Sequence, residues 1–175
     1  MSDLALTLNN FAKLQGQQDR PEEARQAYEE ALQVYRELAR KNPENYLPSL
    51  AETLDELGAL DRGQNRMEEA KNEIEEALKI RRELAQKNPE SYLPSLGWTL
   101  NNLGNLCRKQ NRMEEAREVY EEALRTYRQV VQKSREIYLL HLTRTLNNLG
   151  NLNRRQNRIE EARKEIDING RVKLT

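Results

Sequence analysis

Apolar residues recur along this chain at the spacing of a helix rather than that of a strand. Leu96, Leu100, Leu103, Leu106 and Cys107 follow one another at steps of one, three and four, which predicts a helix with one buried face. The polar run Lys109-Gln110-Asn111-Arg112 then interrupts the pattern. Asparagine tolerates the left-handed conformation that ends a helix, and Asn65, Asn111 and Asn157 recur at that spot. A second helix is predicted from Met113, with Ala116, Tyr120, Ala123, Leu124, Tyr127 and Val131 on its inner face. Glu114 and Glu115 in its first turn complement the helix dipole. The small alanines let two helices approach closely.

This two-helix text repeats. Segments starting at Leu4, Leu50, Leu96 and Leu142 restart it every 46 residues without a gap, and residues 50–95 share 24 identities with residues 96–141. A constant period predicts identical modules stacked in a row. The chain thus reads as one domain, 1–175, with units 4–49, 50–95 and 96–141 and a truncated fourth unit, 142–175. Within a unit, the second helix is predicted to run on through residues 82–87. A connector over residues 88–95 follows, in which Asn88-Pro89 ends the helix and Pro94 opens the next. The last such segment, residues 134–141, lacks both prolines, so it is predicted to be helical and to differ from the others. In the fourth unit, Ile159 to Ile166 read as the start of a second helix, after which the repeat text stops.

Charge narrows the class of partner. Lys+Arg and Asp+Glu both number 29, which argues against nucleic acid as the partner, because binding it needs a basic excess. The balance is uneven along the chain: net charge runs −1, −4, +2 and +4 from the first unit to the fourth. The basic half suits an acidic peptide or a C-terminal carboxylate. Opposite charges at the two ends also suit head-to-tail association of copies. No apolar run approaches the ~20 residues of a membrane helix, and the N-terminus lacks signal-peptide character. A soluble cytoplasmic protein is expected. Cys107 and His141 are the sole cysteine and histidine, and no metal-ligand spacing, phosphate loop or cofactor motif is present, so neither catalysis nor a cofactor is expected.

The residues Leu54, Leu57-Gly58, Ala70, Ile74 and Ala77-Leu78, with Leu100, Leu103-Gly104, Ala116, Tyr120 and Ala123-Leu124 one unit later, resemble the tetratricopeptide repeat. That unit normally has ~34 residues. The longer second helix and the string Thr-Leu-Asn-Asn-Leu-Gly look most like its kinesin-light-chain and nephrocystin-like branch. The resemblance implies an all-α, right-handed superhelical solenoid of antiparallel helix pairs, about three and a half repeats long. Its function would be to hold a peptide or protein in a concave groove lined by the first helix of each unit. Self-association through the uncapped ends is the alternative.

Carried over position by position, the groove would hold Leu6, Asn9 and Lys13, then Glu52, Asp55, Ala59 and Arg62. The third unit would add Trp98, Asn101, Asn105, Arg108 and Lys109, and the fourth Arg144, Asn147, Asn151, Arg154 and Arg155. Asparagine side chains suit the main chain of an extended ligand, and Arg forks suit carboxylates. The same asparagines could instead pair with the neighbouring unit. Trp98, whose counterparts are Leu6, Glu52 and Arg144, is expected to be partly exposed and a binding hot spot. Phe11 and Tyr28 fall on core sites of the repeat. Where the family usually places a large aromatic on the first helix, this chain has Gln15, Asp61, Cys107 and Asn153. The seam is thinner there, or those groups face solvent.

Overall fold

The computed structural model describes the backbone of residues 1–131 and 135–172 and the side chains of 1–130 and 138–157. The described residues form seven helices: α1 (Ser2–Gln17), α2 (Pro21–Lys41), α3 (Pro43–Gly63), α4 (Met67–Lys87), α5 (Pro89–Lys109), α6 (Met113–Val131) and α7 (Arg135–Val172). Each helix packs on its neighbours in sequence, α1 on α2 through to α6 on α7, which is the all-α solenoid expected.

Two kinds of corner build it. Within a pair, the chain turns through Asp19, Asn65 or Asn111, each at positive φ (60°, 66° and 63°). The Arg66 N–H donates to the Asp61 carbonyl at 2.8 Å and the Asn65 N–H to Arg62 at 3.3 Å, which satisfies carbonyls the helix end would leave bare. Arg112 and Cys107 repeat that bond at 2.8 Å. Between pairs, one residue suffices. The side chains of Asn42 and Asn88 cap the next helix by accepting from the N–H of Asn45 and Ser91 (3.3 and 3.2 Å).

Those caps correct the connector. Pro43 and Pro89 open α3 and α5, while Pro48 and Pro94 lie inside them. Residues 89–95 are therefore the first two turns of α5, not a linker. Proline at the first helical position loses no bond, because that N–H has no acceptor anyway. The turns it starts place Tyr92 and Leu93 against the core. The second helix does extend through residues 82–87, as expected. The last junction is less distinctive than its lost prolines suggest, since α7 starts at Arg135, in the register of Pro43 and Pro89. Residues 132–134 of that segment lie outside the described residues.

The core runs along the seams. Leu54, Ile74, Leu100, Leu106, Tyr120 and Tyr127 are almost fully buried. Val131 of the predicted inner face lies outside the described side chains. Gly58, Gly97 and Gly104 mark the tightest approaches within a pair: a Cβ there would lie 2.7 Å from Ile74, 2.7 Å from Tyr127 and 2.5 Å from Tyr120. Phe11 departs from its expected core site, being 45% exposed, whereas its counterpart Leu57 is 2% exposed. Leu57 has the second helix of a preceding unit against it; Phe11 has none among the described residues.

The fourth unit breaks the pattern. Helix α7 passes straight through Gln156-Asn157-Arg158, where the sequence predicts a turn. Asn157 is absent from the positive-φ residues although Asn65 and Asn111, in the same Gln-Asn-Arg text, are among them. Left-handed backbone costs free energy and breaks helical bonds, so a turn persists only where the returning helix packs well. Where earlier units place Ala31-Leu32, Ala77-Leu78 and Ala123-Leu124 on that packing face, the fourth carries Asn169-Gly170. The predicted second helix over residues 159–166 is helical but continues α7 instead of folding back.

Candidate functional site

The first helices α1, α3, α5 and the first half of α7 follow one another along one side of the solenoid. What they expose there depends on a polar ladder between them. Asp55 on α3 is 1% exposed and accepts from the Thr99 hydroxyl of α5 at 2.6 Å and from Asn102 at 3.5 Å. The next rung repeats the register. Asn101 (2% exposed) donates to the Thr145 hydroxyl at 2.5 Å and accepts from Asn148 at 3.2 Å. Thr99 and Thr145 are themselves fully buried. Burial pushes the Asp55 carboxyl up to about 6, opposed by its bond to Thr99 and by the Arg81 guanidinium 3.7 Å away.

Asn9, Asp55 and Asn101, expected on the groove, are therefore buried. They occupy one repeat position, and Asp55 and Asn101 lie between consecutive first helices, where their side chains join the units. The residue at the Asn102 position in the second unit is Glu56, and the Asn9 carbonyl oxygen is left buried with no partner. Asn147, at the same repeat position on α7, is exposed.

The remaining expected residues divide into two halves. In the first half, an open depression between α1 and α3 has Ala12, Ala59, Leu60 and Tyr28 on its floor and Lys13, Gln17 and Glu56 at its edge. The Lys13 ammonium is neutralised by Glu52 at 2.9 Å and Glu56 at 3.7 Å.

In the second half the cations lack such partners. Arg62, half-buried near the end of α3, has no ion pair among the described residues, and its Nε is buried without an acceptor. Burial lowers its pKa, opposed by Tyr120, and the positive charge of Arg108 on α5 lowers it further. The Lys109 ammonium hydrogen-bonds the Arg62 carbonyl. Asn105 accepts from the Tyr120 hydroxyl at 2.9 Å, a second-helix group that reaches through to this face. On α7, Arg154 donates to the side chain of Asn151, and Arg154, Arg155 and Asn151 are all exposed.

Beside this row stands an aromatic stack that the periodicity did not reveal. Half-buried Trp98 meets His141 edge-on with ring centroids 5.8 Å apart, and His141 stacks on Tyr127 at 5.6 Å. The Arg144 guanidinium lies 5.2 Å from the centre of the Trp98 ring. His141 sits three residues before Arg144, one helical turn away, and that spacing was the available signal. Burial, and then Arg144, lower its pKa. Cys107 is buried in the α5–α6 seam, where burial raises its thiol to about 11.

The seam also resolves the positions that lack the large aromatic. Gln15, Asp61 and Cys107 are at most 5% exposed, so they face the seam and not solvent. Asp61 accepts from Arg25 of α2 (3.1 and 3.3 Å) and from Arg66 (3.2 Å). Beside it, burial and then the Asp61 charge push the Glu73 carboxyl up to about 8.

Comparison with known families matches residues 3–83 and 82–129 to the tetratricopeptide repeat, and residues 142–164 to a second description of the same repeat. No curated protein sequence matches. Among solved structures, BtubC (BKLC) from P. vanneervenii superposes with a TM-score of 0.61 at 19% identity. The match covers 97% of this chain and 66% of that one, so this chain spans just under two thirds of its length. The N-terminal domain of stress-induced protein-1 (STI-1) from C. elegans superposes at 0.55, also at 19% identity, over 77% of this chain and 94% of that one. At that identity the likeness is one of fold. Among the described residues, no helix is long and apolar enough to cross a membrane.

Proposed function

The chain belongs to the tetratricopeptide repeat family, whose repeats mediate protein–protein interactions, and from that premise we propose that it holds an acidic, extended peptide segment against the C-terminal half of its concave face. The observation that carries this reading is the unpaired Arg62–Arg108 neighbourhood. Arg25, Arg36, Arg66, Arg81, Arg82, Arg112 and Arg117 all have a carboxylate within 4 Å. Among the described residues Arg62 and Arg108 have none, and unlike the other unpaired arginines, which are exposed, these two are partly buried, where an unmatched charge is costly. A ligand carboxylate between them would relieve both the desolvation and the mutual repulsion, and a planar fork binds it bidentately.

The neighbouring groups extend that seat along a strand. Asn105, Asn147 and Asn151 offer amides for a ligand main chain, Lys109, Arg154 and Arg155 further cations, and the Trp98–Arg144 pair an aromatic edge at the far side. Trp98 is the sole tryptophan, so its fluorescence reports occupancy without a label. Titration with a Glu/Asp-rich decapeptide is expected to give saturable quenching that weakens as salt is raised. Arg62→Glu with Arg108→Glu should reduce affinity by about 100-fold while leaving helicity unchanged. Equal binding of the acidic peptide and a Lys-rich one would refute the proposal.

A further inference from the structure

The straight course of α7 leaves an empty seat. In the second and third units, the first helix carries a glycine onto which its own second helix closes: Gly58 against Ile74 and Gly104 against Tyr120. Gly150 is the glycine of the fourth unit in that series, and among the described residues nothing lies within 4 Å of a Cβ built there. The surrounding face has the character of a seam. Leu146 is 46% exposed where its counterpart Leu100 is fully buried, and the Asn153 carbonyl oxygen is buried with no partner.

The chain carries a helix whose sequence fits that seat. Ile159-Glu160-Glu161-Ala162 repeats Met113-Glu114-Glu115-Ala116, and Ile166 falls sixteen residues after Gly150, the spacing of Gly58 to Ile74 and of Gly104 to Tyr120. In a continuous helix, sixteen residues span roughly 24 Å, so α7 cannot cover its own seat. Gln156 helps to keep it straight. Its side chain is held between Arg117 and Glu114 at the start of α6, donating to Glu114 at 2.6 Å.

We infer that the seat is filled by a second copy of this chain, through exchange of the distal half of α7 in a closed, two-fold dimer. The hairpin register carries over directly. If the turn at residue 166 of one copy covers Gly150 of the other, the pairing is antiparallel and its midpoint falls at residue 158, next to the turn position Asn157. A two-fold axis at that point lets both copies satisfy both seats with one straight helix each, which is the geometry of an exchanged element. Charge does not oppose it. Residues 138–157 contain Arg144, Arg154 and Arg155 and no carboxylate, and in the distal half Glu160, Glu161, Glu165 and Asp167 are balanced by Arg158, Arg163, Lys164 and Arg171. Such a dimer is closed, unlike head-to-tail stacking, which would grow with concentration.

The test uses the full chain. Light scattering across a concentration series should give twice the chain mass and no larger species. Ile159→Pro copies Pro21, the proline that opens α2, and interrupts the straight helix. It should return the mass to that of one chain with helicity retained. In the third unit Leu100 and Ala123 share one cluster, so their counterparts 146 and 169 should meet across the dimer. Leu146→Cys with Asn169→Cys is expected to give a disulfide-linked dimer on oxidation, and neither single variant should. Buried Cys107 stays unreactive. A monomer at every concentration, a disulfide within one chain, or a dimer that forms no 146–169 link would each overturn the inference.

Discussion

The two halves of the solenoid manage positive charge in opposite ways. In the N-terminal half, cations are matched internally: Lys13 by Glu52 and Glu56, and Arg25 and Arg66 by buried Asp61. In the C-terminal half, the Asp61 position is Cys107, the Lys13 position is Asn105, and neither Arg62 nor Arg108 has a carboxylate partner among the described residues. The repeat holds the backbone constant while single substitutions decide whether charge joins helices or remains available to a partner.

The largest test of that contrast is at the seam. Asp61→Ala removes the buried partner of half-exposed Arg25 and should cost about 2–3 kcal/mol in denaturant unfolding, less than the loss from a fully buried ion pair. Cys107→Ala removes one buried sulfur and should cost only about 1–2 kcal/mol. Equal losses would mean that Asp61 adds nothing beyond its volume.

A smaller effect is expected from erasing the difference in the groove. Glu52→Gln with Glu56→Gln frees Lys13 and should raise affinity for an acidic peptide about 3- to 10-fold, with a steeper salt dependence. No gain would show that the first half cannot hold such a ligand even when its cation is free.

The smallest effect concerns pH. Glu73 stays protonated up to about 8 against an ordinary 4.5, and Asp55 up to about 6 against 3.8, in both cases chiefly through burial. A carboxyl whose folded pKa is raised favours the fold while neutral, so stability falls as pH climbs through 4.5–8 for Glu73 and 3.8–6 for Asp55. Glu73→Gln removes the larger part. Its melting temperature should lie close to that of the unaltered chain at pH 4 and a few degrees above it at pH 9, readable by thermal scans. A difference independent of pH would place the effect in packing instead.

Much of the fold could be read from residue spacing. The 46-residue period, the inner faces of both helices and the lengthened second helix follow from the positions of Leu, Ala and Tyr, because burial imposes the helical repeat. Other features were invisible for physical reasons. Pro89 and Pro94 both suit a helix start, and what decides between them is the cap from Asn88 and the packing of Tyr92 and Leu93. The turn at Asn157 looked like those at Asn65 and Asn111, but a turn is held by the helix that returns from it, and Asn169-Gly170 offers little to pack. Asn101 looked like a ligand-binding amide because period alone does not say which face of a first helix meets the next one. The Trp98–His141–Tyr127 stack joins three helices, and the local spacing of His141 and Arg144 marks only its α7 side.

The buried rungs between first helices also impose a reading order on the units. Asp55 needs donors from the unit that follows, and Thr99 and Asn102 supply them. A second unit copied directly after itself would present Glu56 in place of Asn102 and set carboxylate against carboxylate in a space without water. A third unit could follow another third unit freely, since Asn101 both donates and accepts. Units of this chain are therefore not interchangeable bricks but words with a grammar, and only some duplications of the underlying sequence yield a chain that folds.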